Sequence, residues 1–230
     1  MSGFPRCVLF DLDGTLVNSY RLYMESFRAT LEPHFRRRLS DPEILAFDPH
    51  AEQRLLLSVL PEIEFNEYFE LFLTHYARFH EALFDGLYDG VLDMLRTLQT
   101  QGYLMGVVTG KSREAWRITS TRMEDLGFDE LFDVVMTDDD VQSGKPNPEG
   151  IMLALDTLDV QPEQALYIGD SQRDHDAAEA AGVTFGISLW ARKNGQHAFP
   201  DLAPPSSAEH AFRAPSEVLA MLNRTKIESR

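Results

Sequence analysis

From residue 103 onward, short β-type apolar runs alternate with amphipathic helical stretches, an order that a parallel sheet covered on both faces requires. The runs are Tyr103 to Val108, Val134 to Met136, Ala165 to Ile168 and Val183 to Ile187, and an earlier one spans Cys7 to Phe10. Together they predict a doubly wound α/β core. Helix punctuation agrees: Asn147-Pro148-Glu149 reads as an N-cap, a proline at the first helical position and a first-turn acid, and Asp41-Pro42-Glu43 repeats it.

One gap breaks the alternation. Residues 18 to 85 show helical periodicity and no convincing strand, which predicts an inserted helical module between core segments 1–17 and 86–230. Phe65, Phe69, Phe72, Tyr76 and Phe79 recur at three- and four-residue spacing and are read as the inner face of a small bundle. Arg36-Arg37-Arg38 is read as a solvated loop. Residues 193 to 207, with Gly195, Pro200, Pro204 and Pro205, read as an irregular connection before a last helix near Ser216 to Leu222.

The chemistry-bearing residues stand at the predicted strand ends. Asp11-Leu12-Asp13-Gly14-Thr15 follows Val8-Leu9-Phe10. In an extended segment, residues two apart point the same way, so both acids can face one cleft, one as nucleophile and the other as proton donor. After the second strand, Thr109-Gly110-Lys111-Ser112 offers a hydroxyl and backbone amides to a phosphate, although Ser112 also reads as a plain N-cap. After the third come Asp138-Asp139-Asp140, read as solvated loop acids, and Gly144-Lys145-Pro146, whose lysine is aimed by its neighbours. After the fourth, Gly169-Asp170-Ser171-Gln172-Arg173-Asp174 supplies two more carboxylates. Magnesium takes hard oxygen ligands from one or two carboxylates, and Asp11 and Asp170 would supply that pair. Asp174 alone also suits the first turn of a helix. Strand ends of a parallel sheet converge on one edge, so four loops are expected to meet at one site equipped for phosphoryl transfer.

With a formal charge of −16, the surface repels phosphates at long range, which disfavours nucleic acid and anionic membrane and means that an anionic ligand needs local cations. No apolar run approaches membrane-spanning length, and no exported-type leader is read at the N-terminus. The single cysteine, Cys7, excludes an internal disulfide and reads as a buried thiol. A cytoplasmic protein, monomeric or homodimeric, is the expectation.

These motifs, in their order and spacing, resemble the haloacid dehalogenase-like phosphohydrolases, in particular the phosphoglycolate phosphatase and β-phosphoglucomutase-like branch with an α-helical cap inserted after the first strand. The resemblance implies a Rossmann-like core with residues 18–85 as the cap. It also implies that Asp11 attacks phosphorus to form an aspartyl-phosphate while Asp13 protonates the leaving oxygen and later takes a proton from water. Asp11, the backbone carbonyl of Asp13 and Asp170 would bind Mg²⁺, with Asp174 supporting the metal site. Thr109 and the Gly110 amide would hold phosphoryl oxygens, and Lys145 would offset charge around Asp11. Asn18 stands where relatives commonly carry aspartate and reads as a hinge or cap-base residue.

The implied substrate is a small phosphorylated metabolite, phosphoglycolate at family level. A phosphomutase or an inorganic pyrophosphatase is open on the same core. A phospho-accepting signalling domain is disfavoured, because it has no acid two residues after its nucleophile and no helical insertion.

Overall fold

The computed structural model describes residues 5–192 and 208–228. A parallel sheet of six strands is built from β1 (Cys7–Phe10), β2 (Leu104–Val108), β3 (Val134–Met136), β4 (Ala165–Gly169), β5 (Thr184–Ser188) and β6 (His210–Phe212), in the order β3-β2-β1-β4-β5-β6. The doubly wound α/β expectation therefore holds. β6 went unread because three residues, His210, Ala211 and Phe212, carry too little apolar pattern to register as a strand. The connection read at 193–207 lies outside the described residues, and the last helix runs Pro215–Glu228.

Alternation along β1 explains the two-sided packing. Val8 and Phe10 enter one buried cluster with Val91, Leu95, Val218 and Leu222, while Cys7 and Leu9 enter another with Ile151, Leu155, Ala177 and Ala181. Both faces of the strand are thus covered, and each fully buried large apolar side chain contributes about 1.5–3 kcal/mol. Burial also pushes the Cys7 thiol up to about 12, with a smaller push from Asp133, so it stays protonated and unreactive.

Between β1 and β2 the chain forms α1 (Tyr20–Phe35), α2 (Asp41–Leu45), α3 (Glu52–Val59), α4 (Phe65–Leu83) and α5 (Val91–Thr100). Helices α1 to α4 share a cluster centred on Phe27, Leu31, Phe72 and Tyr76. The aromatic stripe of α4 is largely the inner face expected, though Tyr76 also places its hydroxyl in a polar network described below. The two ends of this stretch are stitched together: Asn18 N donates to Gly86 O at 2.8 Å, Asp85 N to Asn18 O at 3.1 Å, and Asn18 Nδ2 to Asp85 Oδ2 at 3.2 Å. An aspartate at position 18 would set like charge against Asp85. Arg36, Arg37 and Arg38 are exposed, and Arg37 pairs with Glu43 at 2.6 Å.

Two helix starts differ from expectation by one residue. Ser40, rather than Asp41, caps α2, in a reciprocal box with Glu43, because a hydroxyl three residues before a glutamate satisfies both free amides. The helix Glu149–Leu158 begins one residue later than read, with Asn147 Oδ1 accepting from the Glu149 amide at 2.9 Å.

His80 of α4 is buried, its ring 4.3 Å from that of Phe84. Burial, helped by Lys111 and Arg122, lowers its pKa to about 4. A histidine depressed in the fold takes up protons more readily when unfolded, so stability present above pH 6.5 is lost as pH falls toward 4. We expect His80→Leu to remove a loss on the order of 1 to 3 kcal/mol between those values. Urea denaturation of both proteins across that range checks it, and identical pH slopes would contradict it.

Candidate active site

β1 lies between β2 and β4, the strands that wind outward in opposite directions, so the loops leaving these three strands face one crevice. Asp11 N donates to Ile168 O at 2.8 Å and Thr109 N to Met136 O at 2.9 Å, which locks the first residue past β1 and past β2 onto the neighbouring strands. A pocket opens there, and Asp11, Asp13, Thr109, Gly110, Lys145, Asp170 and Asp174 all line it. Every site residue expected from the sequence is thereby brought to one place.

Lys145 is the centre of the charge arrangement. Its Nζ lies 2.5 Å from Asp11 Oδ1, 2.6 Å from Asp174 Oδ1 and 3.2 Å from the Tyr167 hydroxyl. Burial works against the ammonium, but Asp11 and Asp174 outweigh it and hold Lys145 well above the usual lysine range. Asp11 moves the other way from an ordinary aspartate: burial pushes it up, Lys145 pulls it down, and nearby Asp174 and Asp13 push it up again, leaving it raised. Asp174 is also pushed by burial, but Lys145 and the Ser171 and Tyr167 hydroxyls hold it below the usual range.

Asp174 has both oxygens committed. Oδ1 takes Lys145 and Tyr167, and Oδ2 takes the amide and hydroxyl of Ser171 at 3.1 and 2.5 Å in a capping box at the start of α8 (Gln172–Ala181). Two glycines permit this crowding. A Cβ on Gly169 would stand 2.5 Å from the Asp174 side chain, and one on Gly14, whose φ is +86°, would stand 2.4 Å from Asp170 Oδ2. At Gly110 a Cβ would meet the carbonyl oxygen of His50 at 2.2 Å, so the loop before α3 presses directly on the loop after β2.

The donor set suits a hard divalent cation. Carboxylate oxygens of Asp11, Asp170 and Asp174 lie within 4.8 Å of one another, all three residues are buried, and no sulfur or imidazole is among them. Lys145 pairs with Asp11 and Asp174, and a dication would balance further negative charge where these three buried carboxylates gather.

Several participants were not legible in the sequence. Asp138, expected to be a solvated acid, is buried and accepts from Arg54 Nε at 2.7 Å, because α3 reaches over it. Asp139 and Asp140 are exposed, the latter accepting from the Thr137 amide at 2.8 Å. His50, Arg54 and Arg173 line the pocket, and Arg173 pairs with Asp48 and donates to Lys145 O. Ser19 donates to Asp13 Oδ1 at 2.5 Å, and Lys111 Nζ lies 3.2 Å from the same oxygen. Ser112 does cap α6 (Arg113–Arg122), accepting from Ala115 N at 3.3 Å. The one available signal was Lys111 itself, a lysine between a phosphate-loop glycine and a helix cap.

Comparison with known proteins adds independent findings. A family model described as haloacid dehalogenase-like hydrolase matches residues 8–187. Pyrophosphatase PpaX of Bacillus cereus is 35% identical over 189 residues, 81% of this chain and 84% of that protein. Among solved structures, a Lactobacillus plantarum protein proposed to be a phosphoglycolate phosphatase aligns at 26% identity with a TM-score of 0.75, covering 95% of this chain and all of the other, 100%. CbbY from Rhodobacter sphaeroides, in complex with phosphate, shares the fold with a TM-score of 0.80 at 22% identity, over 95% of this chain and 99% of that one.

Proposed function

This chain belongs to the haloacid dehalogenase-like hydrolase family, and we propose that it is a Mg²⁺-dependent phosphatase working through an aspartyl-phosphate on Asp11. The observation that carries this reading is the meeting of Asp11, Asp13, Thr109, Lys145 and Asp170 around one pocket at the switch of the sheet. Residues 18–85 would act as the cap, with Asp11, Asp170 and the Asp13 carbonyl as metal ligands and Asp174 as their support. A bound Mg²⁺ would supply charge neutralisation to the phosphoryl oxygens.

The remaining work falls to the chain. With Oδ1 held by Lys145, Asp11 offers its other oxygen to phosphorus; that bond forms as the bond to the leaving oxygen breaks. Asp13, whose Oδ1 is engaged by Ser19 and Lys111, has Oδ2 left to give a proton to the leaving oxygen. In the second half, water attacks phosphorus, Asp13 takes its proton, and the Asp11 carboxylate departs. Thr109 and the Gly110 amide would hold the phosphoryl oxygens, and Lys145 would offset the approach of one anion to another, a repulsion of several kcal/mol in a poorly solvated cleft.

Arg54 and Arg173 place guanidinium groups around the remainder of the pocket, which suits a substrate with a second anionic group near the scissile phosphorus. Inorganic pyrophosphate is one such compound and is favoured by the pyrophosphatase relative at 35% identity. Phosphoglycolate is another, favoured by the Lactobacillus structure at 26%. Phosphate release with Mg²⁺ from both compounds and from a sugar phosphate separates these readings. Isomerisation of the sugar phosphate without net release would assign a mutase instead. Cytoplasmic location is part of this proposal; among the described residues no helix is long and apolar enough to cross a membrane.

Asp13→Asn is expected to form the adduct with a good leaving group and then to hydrolyse it about 100-fold or more slowly. A stopped-flow burst of 4-nitrophenol followed by slow steady turnover would show this. Wild-type steady turnover by the variant would remove Asp13 from its role.

A further inference from the structure

Lys111 is among the largest fully buried side chains of the protein, and its side chain has 0% exposure. A buried ammonium needs all three of its protons satisfied. Here it donates to the Tyr23 hydroxyl at 2.8 Å and the Tyr76 hydroxyl at 2.9 Å, and it is ion-paired with Asp13 Oδ1 at 3.2 Å. The rings of the two tyrosines also lie 4.3 and 4.8 Å from Nζ, within cation–π range.

These partners come from different parts of the fold. Asp13 follows β1 and Lys111 follows β2, whereas Tyr23 is on α1 and Tyr76 on α4. Each tyrosine is itself anchored, Tyr23 to Glu52 Oε2 at 3.1 Å and Tyr76 to Thr119 Oγ1 at 2.8 Å. Glu52 in turn takes the Ser112 amide and hydroxyl, both at 2.7 Å, so the network closes back on the residue beside Lys111. Lys111 is absent from the lining of the reaction pocket, and its ammonium faces Asp13.

We propose that Lys111 is a positioning residue: it fixes the Asp13 carboxylate for proton transfer and, through Tyr23 and Tyr76, makes that placement depend on the seating of the helical insert. The inference rests on the phosphatase reading above and adds to it a residue that acts only through Asp13. The alternative is a purely structural lysine holding α1 and α4 to the core. The two differ in a measurable way. A misplaced proton donor slows departure of a poor leaving group more than a good one, whereas loosened packing slows both alike.

The test uses the full chain with Mg²⁺ and two substrates of similar shape, phenyl phosphate and 4-nitrophenyl phosphate. Lys111→Met is expected to lower kcat/KM for phenyl phosphate about tenfold more than for 4-nitrophenyl phosphate. Tyr76→Phe, which removes only one acceptor, should shift the same ratio in the same direction by less, and carries the test if Lys111→Met does not fold. In an Asp13→Asn background, Lys111→Met should change the burst rate with 4-nitrophenyl phosphate by less than about twofold, because its effect passes through a group already removed. Equal losses on both substrates, or an undiminished loss in the Asp13→Asn background, would overturn the positioning role. Failure of the unmodified protein to release phosphate from either substrate would overturn the phosphatase reading itself and the inference with it.

Discussion

Asp11→Asn should lower phosphate release by roughly four orders of magnitude or more, the scale on which loss of an attacking group is felt, while the protein stays folded. The amide is nearly the same size as the carboxylate but cannot bond covalently to phosphorus and leave again. The fold should tolerate it because the ionised Asp11 side chain is a burden: burial disfavours its charge, and Asp174 and Asp13 add repulsion that Lys145 only partly offsets. Removing one negative charge from this buried group leaves Lys145 paired with Asp174 at 2.6 Å. Phosphate assays beside thermal melts of metal-free protein check both halves. Substantial turnover by the variant would show that another group attacks phosphorus.

Chelating divalent metal should reduce activity to background, and restoring Mg²⁺ should recover it and raise the melting temperature. Both effects come from the clustering of buried carboxylates at Asp11, Asp170 and Asp174. An ion that binds only the folded protein stabilises it by about 2.7 kcal/mol at a hundred times its Kd. Asp170→Ala should abolish both the activity and the Mg²⁺-dependent rise in melting temperature. Full activity in excess chelator, or a melt indifferent to Mg²⁺ in the unmodified protein, would refute the metal assignment.

The parallel core was readable because Val8-Leu9-Phe10, Val107-Val108 and Leu166-Tyr167-Ile168 are buried strands with apolar residues on both faces, each ending in a chemistry-bearing residue. The site was readable for the same reason, since adjacency of parallel strands carries Asp11, Thr109 and Asp170 together without any information about the helices. What the sequence did not disclose depends on packing between distant segments. Asp138 is buried and bonded to Arg54, 84 residues away. Lys111 is enclosed only because α1 and α4 deliver two tyrosine hydroxyls to one point. The short β6 was missed since its place is set by β5 beside it and not by its own pattern.

The most direct test of the mechanism is to quench Asp13→Asn protein with acid during turnover of 4-nitrophenyl phosphate and locate the phosphoryl group by peptide mass spectrometry. The expected result is a single hydroxylamine-labile acyl-phosphate on Asp11. A phosphoryl group on any other residue, or complete release of 4-nitrophenol with unmodified peptides throughout, would contradict it.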